Sequence, residues 1–253
     1  TIYVMYNKYM RRILITIEYD GTNYCGWQKQ PGQKTVQGEI EEAIYKTIGE
    51  KVEIFGSGRT DAGVHALGQT AHFDLSAAVP ISKLSDILNN SLPADIAIKS
   101  AEVVDNNFHA RFSIKRKCYL YKIYNSENKN AFLANRVGFI RKKLNIEKMA
   151  EAGKLLIGQH DFKGFCSANT ATRNFVRTIY SIDITAKNDF IYVEVCGNGF
   201  LYNMVRIIVG TLVDYALDKL SKSDILEALH EGKRNKSGQT MPPEGLYLKE
   251  TFY

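Results

Sequence analysis

Strand-like and helix-like segments follow one another in the same order in both halves of the chain, and this order limits the fold more than any other feature of the sequence. In the first half, runs of β-branched and apolar residues predict strands, and apolar residues at helical spacing predict helices. The strands are expected at 12–20, 51–57, 66–75 and 96–104, and the helices at 35–48 and 80–90, with Thr35 as the N-cap of the first helix. The second half has strand patterns at 117–125, 174–185, 190–196 and 245–252, and helix patterns at 146–156, 203–217 and 222–230. Apart from one added helix, each half reads strand, helix, strand, strand, helix, strand, which is the order of a split βαβ unit.

The sequence therefore predicts an α+β (mixed α/β) fold of two split-βαβ halves of the ferredoxin-like or RRM-like type, related by a pseudo-twofold axis, with a cleft between them. We expect an N-terminal extension at 1–11, an N-terminal α/β half at 12–106 and a C-terminal α/β half at 107–253. With 253 residues, 45% of them hydrophobic, the chain is long enough for two cores of ordinary size. Open sheets of this kind are common in single-stranded RNA recognition, although a fold alone does not define a function.

A glycine-rich segment at 56–69 joins two predicted strands of the first half and contains one carboxylate and one guanidinium, those of Asp61 and Arg59. Its four glycines indicate positive φ angles or a close approach of the backbone to another group. The segment lacks the Gly-Lys-Ser/Thr of a phosphate-binding loop, the spacing of a dinucleotide-binding motif and the flanks of a nucleophile elbow. One interpretation is a tight loop with surface charges. The other is a functional loop, with Asp61 as the first candidate, because rigid scaffolds place chemical groups on such loops.

The composition predicts a soluble, cytoplasmic protein that uses no metal and no disulfide framework. No stretch approaches the roughly 20 apolar residues that a membrane span requires. Cys25, Cys118, Cys166 and Cys196 lie far apart, and neither they nor the five histidines have the spacing of zinc ligands. We therefore expect reduced thiols, as in cytosolic proteins, and histidines in structural or surface positions.

The net charge of +6 is concentrated in one segment. Residues 108–143 contain ten basic residues and one acid and so carry +9, which leaves 6 − 9 = −3 for the remainder of the chain. Aromatic residues are interleaved with these charges, and an RNA-binding surface uses cations for phosphates and ring faces for unstacked bases. A solvated charged face is the alternative, and some of the aromatic residues must belong to the core. Phosphate contacts are predicted for Arg111, Lys115, Arg116 and Lys117.

A second charged residue needs either a partner or access to water. Arg206 is surrounded by apolar residues in the predicted helix 203–217, and an unpaired buried charge is too costly to retain. Either its side chain reaches the solvent or it pairs with an anion, for which Asp61 of the other half is the candidate. Such a pair would keep Asp61 ionised and oriented as a carboxylate nucleophile. Conventional glycoside hydrolysis uses two carboxylates, and no second one can be assigned from the sequence.

Five separate motifs strengthen this interpretation: Tyr19–Gln28 (YDGTNYCGWQ), Gly58–Ala66 (GRTDAGVHA), Phe108–Ser113 (FHARFS), Met204–Gly210 (MVRIIVG) and Glu244–Leu248 (EGLYL). In these residues and in their order, the chain resembles the TruA family of tRNA pseudouridine synthases from about residue 12 to its end. The resemblance implies isomerisation of uridine to pseudouridine at positions 38–40 of the tRNA anticodon stem-loop, without cofactor or metal. It also implies a homodimer in which both subunits contact the RNA.

The resemblance further implies a role for each matching residue. Asp61 matches the nucleophile, and Arg59 matches the arginine that enters the stem and helps to flip out the target nucleotide. Tyr119 matches the tyrosine that stacks on the uracil, and Arg206 matches the arginine paired with the aspartate. Whether the carboxylate attacks uracil C6 or ribose C1′, or assists elimination to a glycal, stays open at this point.

Two departures from the family pattern leave alternatives. Cys118 precedes Tyr119 where the family usually has a basic residue, and the extension at 1–11 has no counterpart. The protein could be a paralogue with a different target uridine. A catalytically vestigial tRNA-binding protein would share the basic segment, and a base-excising glycosidase would also flip a nucleotide.

Overall fold

The structure, a computed structural model, describes residues 10–168 and 172–253, which form two compact units. The first unit extends to Lys115 and also includes Leu248–Tyr253, and the second consists of Arg116–Tyr247. Residues 107–115 and 248–253 thus belong with the first unit, whereas the sequence predicts a single half at 107–253. Of the expected extension, residues 1–9 lie outside the described residues, and Arg11 already begins the first strand.

The first unit has the predicted order of strands and helices. Its elements are β1 (Arg11–Tyr19), α1 (Val36–Ile48), β2 (Phe55–Gly56), β3 (His65–Leu75), α2 (Ile81–Asn89) and β4 (Ile96–Val104). The central strand β1 lies antiparallel to both β3 and β4, so that Ile15 pairs with Ala71 on one side and with Ala101 on the other. The last strand of the chain, β10 (Leu246–Phe252), lies beside β3. The α+β class and the βαββαβ order of this unit are confirmed.

The strand predicted at 51–57 is much shorter in the structure, where only Phe55 and Gly56 pair with β3. At Ile54, the residue before Phe55, side chains of α1 form the hydrogen bonds that a neighbouring strand would form. The Ile54 carbonyl accepts a hydrogen bond from Gln37 Nε2, and the Ile54 amide donates one to Glu41 Oε1, both at 3.2 Å. Because these backbone groups are already satisfied, the segment does not need a sheet ladder.

Local sequence explains where α1 begins and ends. The Thr35 hydroxyl accepts a hydrogen bond from the Gly38 amide at 3.3 Å, which caps the first turn, as the sequence predicted. Gly49 ends the helix with a positive φ of 80°. Between these ends, Val36, Ile40 and Ile44 are fully buried and form the apolar face that packs into the core of the unit.

The second unit contains the elements predicted for its half except the last strand, most of which belongs to the first unit, and two short strands that the sequence did not predict. They are β5 (Arg116–Asn125), β6 (Gly138–Ile140), α3 (Ile146–Lys154), β7 (Gly158–Asp161), β8 (Val176–Lys187), β9 (Phe190–Gly197), α4 (Met204–Ala216) and α5 (Lys222–His230). Within the unit the strand order is β5, β9, β8, β7, and β6 lies parallel to β5. The unpredicted strands β6 and β7 have three and four residues, too few for an alternating pattern to be recognised.

The pairing of β5 with β9 corrects one expectation. Cys118 lies directly opposite Cys196 with 4.2 Å between their Cα atoms, and the two form a disulfide. The prediction of reduced thiols throughout was therefore wrong for this pair, whereas Cys25 and Cys166 have reduced thiols. A separation of 78 residues concealed the pair, because only the strand register brings the two sulfur atoms together.

Candidate active site

A loop at 57–64 connects β2 to β3 in the first unit and contains both Arg59 and Asp61. Its first residues are fixed to β3. The Ser57 amide donates to the Thr70 carbonyl at 2.7 Å, and the Ser57 hydroxyl donates to Gln69 Oε1 at 2.5 Å. Gln69 is fully buried and returns a hydrogen bond from Nε2 to the Gly58 carbonyl at 2.8 Å. The entrance to the loop is therefore held by one buried amide side chain of β3.

The residue before Asp61 is anchored to the segment 19–28, the first of the five motifs. The Thr60 hydroxyl is hydrogen-bonded to the buried Tyr19 hydroxyl at 2.7 Å, and its carbonyl accepts from the Trp27 amide at 3.0 Å. Gly26, with a φ of +87°, lies so close that a Cβ atom would be 2.5 Å from the Thr60 oxygen. A side chain at this position would displace the backbone of the loop, which explains the glycine.

Asp61 begins a tight turn on this anchored backbone. Its carbonyl accepts a hydrogen bond from the Val64 amide at 3.1 Å, and Gly63 has the positive φ of 76° that the third residue of a type II turn requires. The Asp61 side chain is half-buried, and Arg59 two residues earlier is exposed, with its Nε donating to Gln28 Oε1 at 3.1 Å. One loop thus presents a carboxylate and an outward guanidinium in fixed backbone positions.

Arg206 lies in the first turn of α4 in the second unit and is half-buried. Its Nε donates to the Met241 carbonyl at 2.6 Å and its Nη1 donates to Asn203 Oδ1 at 2.7 Å. These two uncharged acceptors fix the position of the guanidinium. The predicted pair with Asp61 joins residues of different units and stays a prediction.

Tyr119 lies in β5, next to Cys118 of the disulfide, and its side chain is 8% exposed. Its ring meets that of Phe200 edge to face, with 5.1 Å between the centroids. The contact with Phe200 was not predicted, since no pattern in the sequence links residues 81 positions apart (200 − 119). The ring orientation of the candidate stacking residue is thus set by an aromatic neighbour from the segment that precedes α4.

The four residues predicted to contact phosphates are divided between the units. Arg111 and Lys115 belong to the first unit, Arg116 and Lys117 to the second. The side chains of Arg111, Lys115 and Arg116 are exposed, and Lys117 is half-buried. Their exposure leaves the cations accessible to a polyanion.

The described part of the chain contains one group of three side chains that could ligate a metal ion, namely Cys118, Glu194 and Cys196. Both sulfur atoms of this group are joined in the disulfide, which leaves no thiolate for a metal. In the same part of the chain, no helix has the length and apolar character needed to cross a membrane.

Comparison with known proteins agrees with the resemblance seen in the motifs. The family model for tRNA pseudouridine synthases matches residues 15–113 and 152–253, and the chain belongs to this family. The matched residues include Arg59, Asp61 and Arg206 but not Tyr119, which falls between the two matched segments.

Relatives named tRNA pseudouridine synthase A are similar to almost the whole chain. The relative from Caldicellulosiruptor saccharolyticus is 48% identical over 244 residues, and that from Caldicellulosiruptor bescii is 47% identical over 244 residues. The relative from Brevibacillus brevis is 45% identical over the same length. Each alignment covers 96% of this chain and 100% of the relative.

Among solved structures, that of a Cbf5-Nop10-Gar1 complex aligns with a TM-score of 0.41 and 10% identity, covering 93% of this chain and 57% of that chain. A score below 0.5 does not establish a shared fold.

Proposed function

We propose that this protein isomerises uridine to pseudouridine at positions 38–40 of the tRNA anticodon stem-loop, with Asp61 as the nucleophile. Membership of the tRNA pseudouridine synthase family and full-length similarity to proteins named tRNA pseudouridine synthase A support the activity. The observation that carries the role of Asp61 is its position on a loop whose preceding backbone is anchored by buried residues of β3 and of the segment 19–28. Covalent catalysis by a single carboxylate depends on such positioning, since it has no metal or second acid to assist it.

The reaction rearranges bonds within one nucleotide. The carboxylate of Asp61 attacks uracil C6 or ribose C1′, or assists elimination to a glycal, and the bond between N1 and C1′ breaks. The base turns, a bond forms between C5 and C1′, any bond to Asp61 breaks to restore the carboxylate, and the hydrogen of C5 leaves as a proton. N1 gains a proton, so that the product has the same composition as the substrate.

Other residues would prepare the nucleotide for this step. Arg59 is exposed on the same loop as Asp61, which supports a role in entering the stem and flipping out the uridine. The edge-to-face contact with Phe200 supports Tyr119 as the ring that stacks on the uracil. A half-buried guanidinium held by neutral acceptors supports Arg206 as the cation that keeps Asp61 ionised.

The same proposal includes the partners and compartment of the enzyme. The exposed cations Arg111, Lys115 and Arg116, together with Lys117, would bind phosphates of the tRNA. A cytoplasmic homodimer in which both subunits contact the RNA is the assembly that the family resemblance implies.

Release of tritium from tRNA transcripts labelled at uridine C5 tests the proposal directly. The wild-type protein should release it, and Asp61→Asn should abolish the release while tRNA affinity stays within several-fold. Asp86→Asn is a matched control, because Asp86 is an exposed carboxylate on α2 and should leave the rate unchanged. Turnover retained by Asp61→Asn would refute the nucleophile.

The products of the wild-type reaction separate the alternatives. Bound but unmodified tRNA would favour an RNA-binding protein without activity. Free uracil and an abasic RNA would instead favour a glycosidase, and pseudouridine at another position would indicate a paralogue with a different target.

A further inference from the structure

Four aromatic rings of the first unit contact one another, and two of them, Phe55 and Phe112, are exposed at the protein surface. The ring of Phe55 stacks on that of His72 with 5.2 Å between centroids, and His72 meets His109 at 4.6 Å. His109 in turn meets Phe112 at 4.3 Å. We call this set the ring column. His72 is buried, whereas the terminal Phe112 is 76% exposed.

The backbone that carries Phe112 is rigidly held. The Ala110 amide donates to His72 Nδ1 at 3.1 Å, and the Ala110 carbonyl accepts from the Tyr253 hydroxyl at 3.0 Å. The Ser113 amide donates to the His109 carbonyl at 2.9 Å, and the His109 amide donates to the Ser113 hydroxyl at 3.1 Å. Phe112 is therefore presented to the solvent by a fixed turn, so a ligand that contacts it would not need to order the loop.

The two imidazoles of the column are neutral at pH 7. Burial, assisted by the neighbouring His109 and Arg12, lowers the pKa of His72 to about 4. Burial also lowers the pKa of His109, with Arg12 and Arg111 as further causes. Uncharged rings offer π faces for stacking, and the positive charge at this place comes from Arg111, whose guanidinium lies over the Phe112 ring, 5.8 Å from its centroid.

An exposed ring on a rigid turn beside a cation matches the chemistry of a nucleotide, which combines a flat base with a negative phosphate. An uncharged apolar partner would use the ring but leave the adjacent guanidinium without a counter-charge. The surrounding charge also favours a polyanion, since Arg111 and Lys115 belong to the segment that carries +9.

We infer that Phe112, supported by the ring column, is a stacking platform for an unstacked base of the RNA substrate, and that Arg111 contacts the adjacent phosphate. This inference rests on the proposed function, because it assumes an RNA substrate.

The platform base is distinct from the target uridine and belongs to the same RNA molecule. Phe55 precedes Asp61 by six residues, so their Cα atoms are at most about 22 Å apart. At roughly 3.4 Å per stacked nucleotide, this distance corresponds to about six nucleotides, to which the length of the column adds a few more. A tRNA bound at the Asp61 loop can therefore reach Phe112.

Substitutions of Phe112 test whether a π face is required. Phe112→Ala and Phe112→Leu should each raise the Kd and the KM for tRNA about tenfold, the lower end of what one stacked base contributes. The kcat at saturating tRNA should change less than twofold. Phe112→Trp, which keeps a ring, should bind tRNA within twofold of the wild-type protein.

Tyr45→Ala is the matched control. Tyr45 is 46% exposed on α1 and has Lys51 5.4 Å from its ring centroid, but it lies outside the ring column. This variant should bind tRNA as the wild-type protein does. Arg111→Gln should reduce the slope of log Kd against log salt by about one, whereas Phe112→Ala should leave that slope unchanged.

An unchanged Kd in Phe112→Ala, or an equal loss in Phe112→Trp and Phe112→Ala, would overturn the inference. Light scattering must show the same oligomeric state for all variants, and a Phe112→Ala protein that dissociates would assign this surface to contact between copies of the chain. Failure of the proposed function is measured separately. If Phe112 contributes to tRNA binding but the wild-type protein releases no tritium, the stacking platform is supported and the isomerase activity is refuted.

Discussion

Single atoms determine where the backbone of the Asp61 loop can lie. Two glycines of the segment 19–28 approach the loop so closely that a Cβ atom would be 2.0 Å from the Val64 oxygen at Gly21 and 2.5 Å from the Thr60 oxygen at Gly26. The buried Tyr19 and Trp27 of the same segment hold Thr60 by hydrogen bonds. The segment 19–28 therefore supports the backbone of the Asp61 loop.

We expect Gly26→Ala to lower the kcat about 100-fold, because the backbone at Thr60 must shift and displacement of a catalytic group by about 1 Å can cost that much. Gly32→Ala is the matched control, since Gly32 also has a positive φ, of 70°, but a Cβ atom added there would meet no other atom within 4 Å. Its cost should be about 1–2 kcal/mol of stability from the left-handed backbone conformation, with less than a twofold change in kcat. Tritium release at saturating tRNA, normalised to folded protein by circular dichroism, measures the difference. Equal kcat values in the two variants would contradict the role given to Gly26.

At the scale of elements, strand register decides which distant residues meet in the second unit. The pairing of β5 with β9 places Cys118 opposite Cys196, and it places Tyr119 opposite Val195. The disulfide closes a long loop in the chain, since its two cysteines are 78 positions apart in the sequence. A cross-link over such a separation restricts the unfolded chain and therefore stabilises the folded unit.

Removing this cross-link should lower the free energy of unfolding by about 2–4 kcal/mol. The double variant Cys118→Ala, Cys196→Ala should show the loss in urea denaturation under oxidising conditions. Adding dithiothreitol should destabilise the wild-type protein but leave the double variant unaffected. Cys25→Ser is the control, because Cys25 is an exposed free thiol. A wild-type unfolding midpoint that does not respond to the reductant would show that the disulfide contributes no stability.

At the scale of the whole molecule, the proposed chemistry needs both units. The candidate nucleophile Asp61 belongs to the first, and Arg206 and Tyr119 belong to the second. The basic segment 108–143 also extends from one unit into the other. In the first unit the candidate nucleophile lies on a loop between two strands, and in the second unit Tyr119 lies on β5 and Arg206 on α4.

Arg206→Leu should lower the kcat about 100-fold if this guanidinium keeps Asp61 ionised and oriented, since displacement of a catalytic group by about 1 Å can cost that much. Arg206→Lys, which retains the charge but loses the planar guanidinium, should have a kcat between those of the wild-type protein and Arg206→Leu.

Arg234→Leu is the control. Arg234 is half-buried in the same unit, and its guanidinium also donates to neutral acceptors, the Ser237 hydroxyl and the Gly238 carbonyl, both at 2.9 Å. Its loss should reduce stability but not the kcat of the folded enzyme. Similar kcat values for Arg206→Leu and Arg234→Leu would argue against the predicted pair.

Much of the fold was predictable because its elements have clear periodicity. The strand β4 and the helix α5 have the bounds that the sequence predicted, and Thr35 caps α1 as expected. The strand predicted at 51–57 is reduced to Phe55 and Gly56, because side chains of α1 bind the backbone of Ile54. The disulfide and the contact between Tyr119 and Phe200 could not be predicted, since both join residues far apart in the chain.

The sequence by itself determined the order of strands and helices, the glycine-rich loop around Asp61, the basic segment and the family. These features follow from local periodicity and short motifs, which are present in the chain before it folds. Only the tertiary structure decided that Trp27 and Tyr19 support Thr60, that Cys118 meets Cys196 and that the four rings of the ring column contact one another. The meeting of Cys118 with Cys196 depends on strand register, because a shift of one residue would turn a strand side chain to the opposite face of the sheet. The other contacts involve loop residues and join segments that are far apart in the chain, so local patterns cannot predict them.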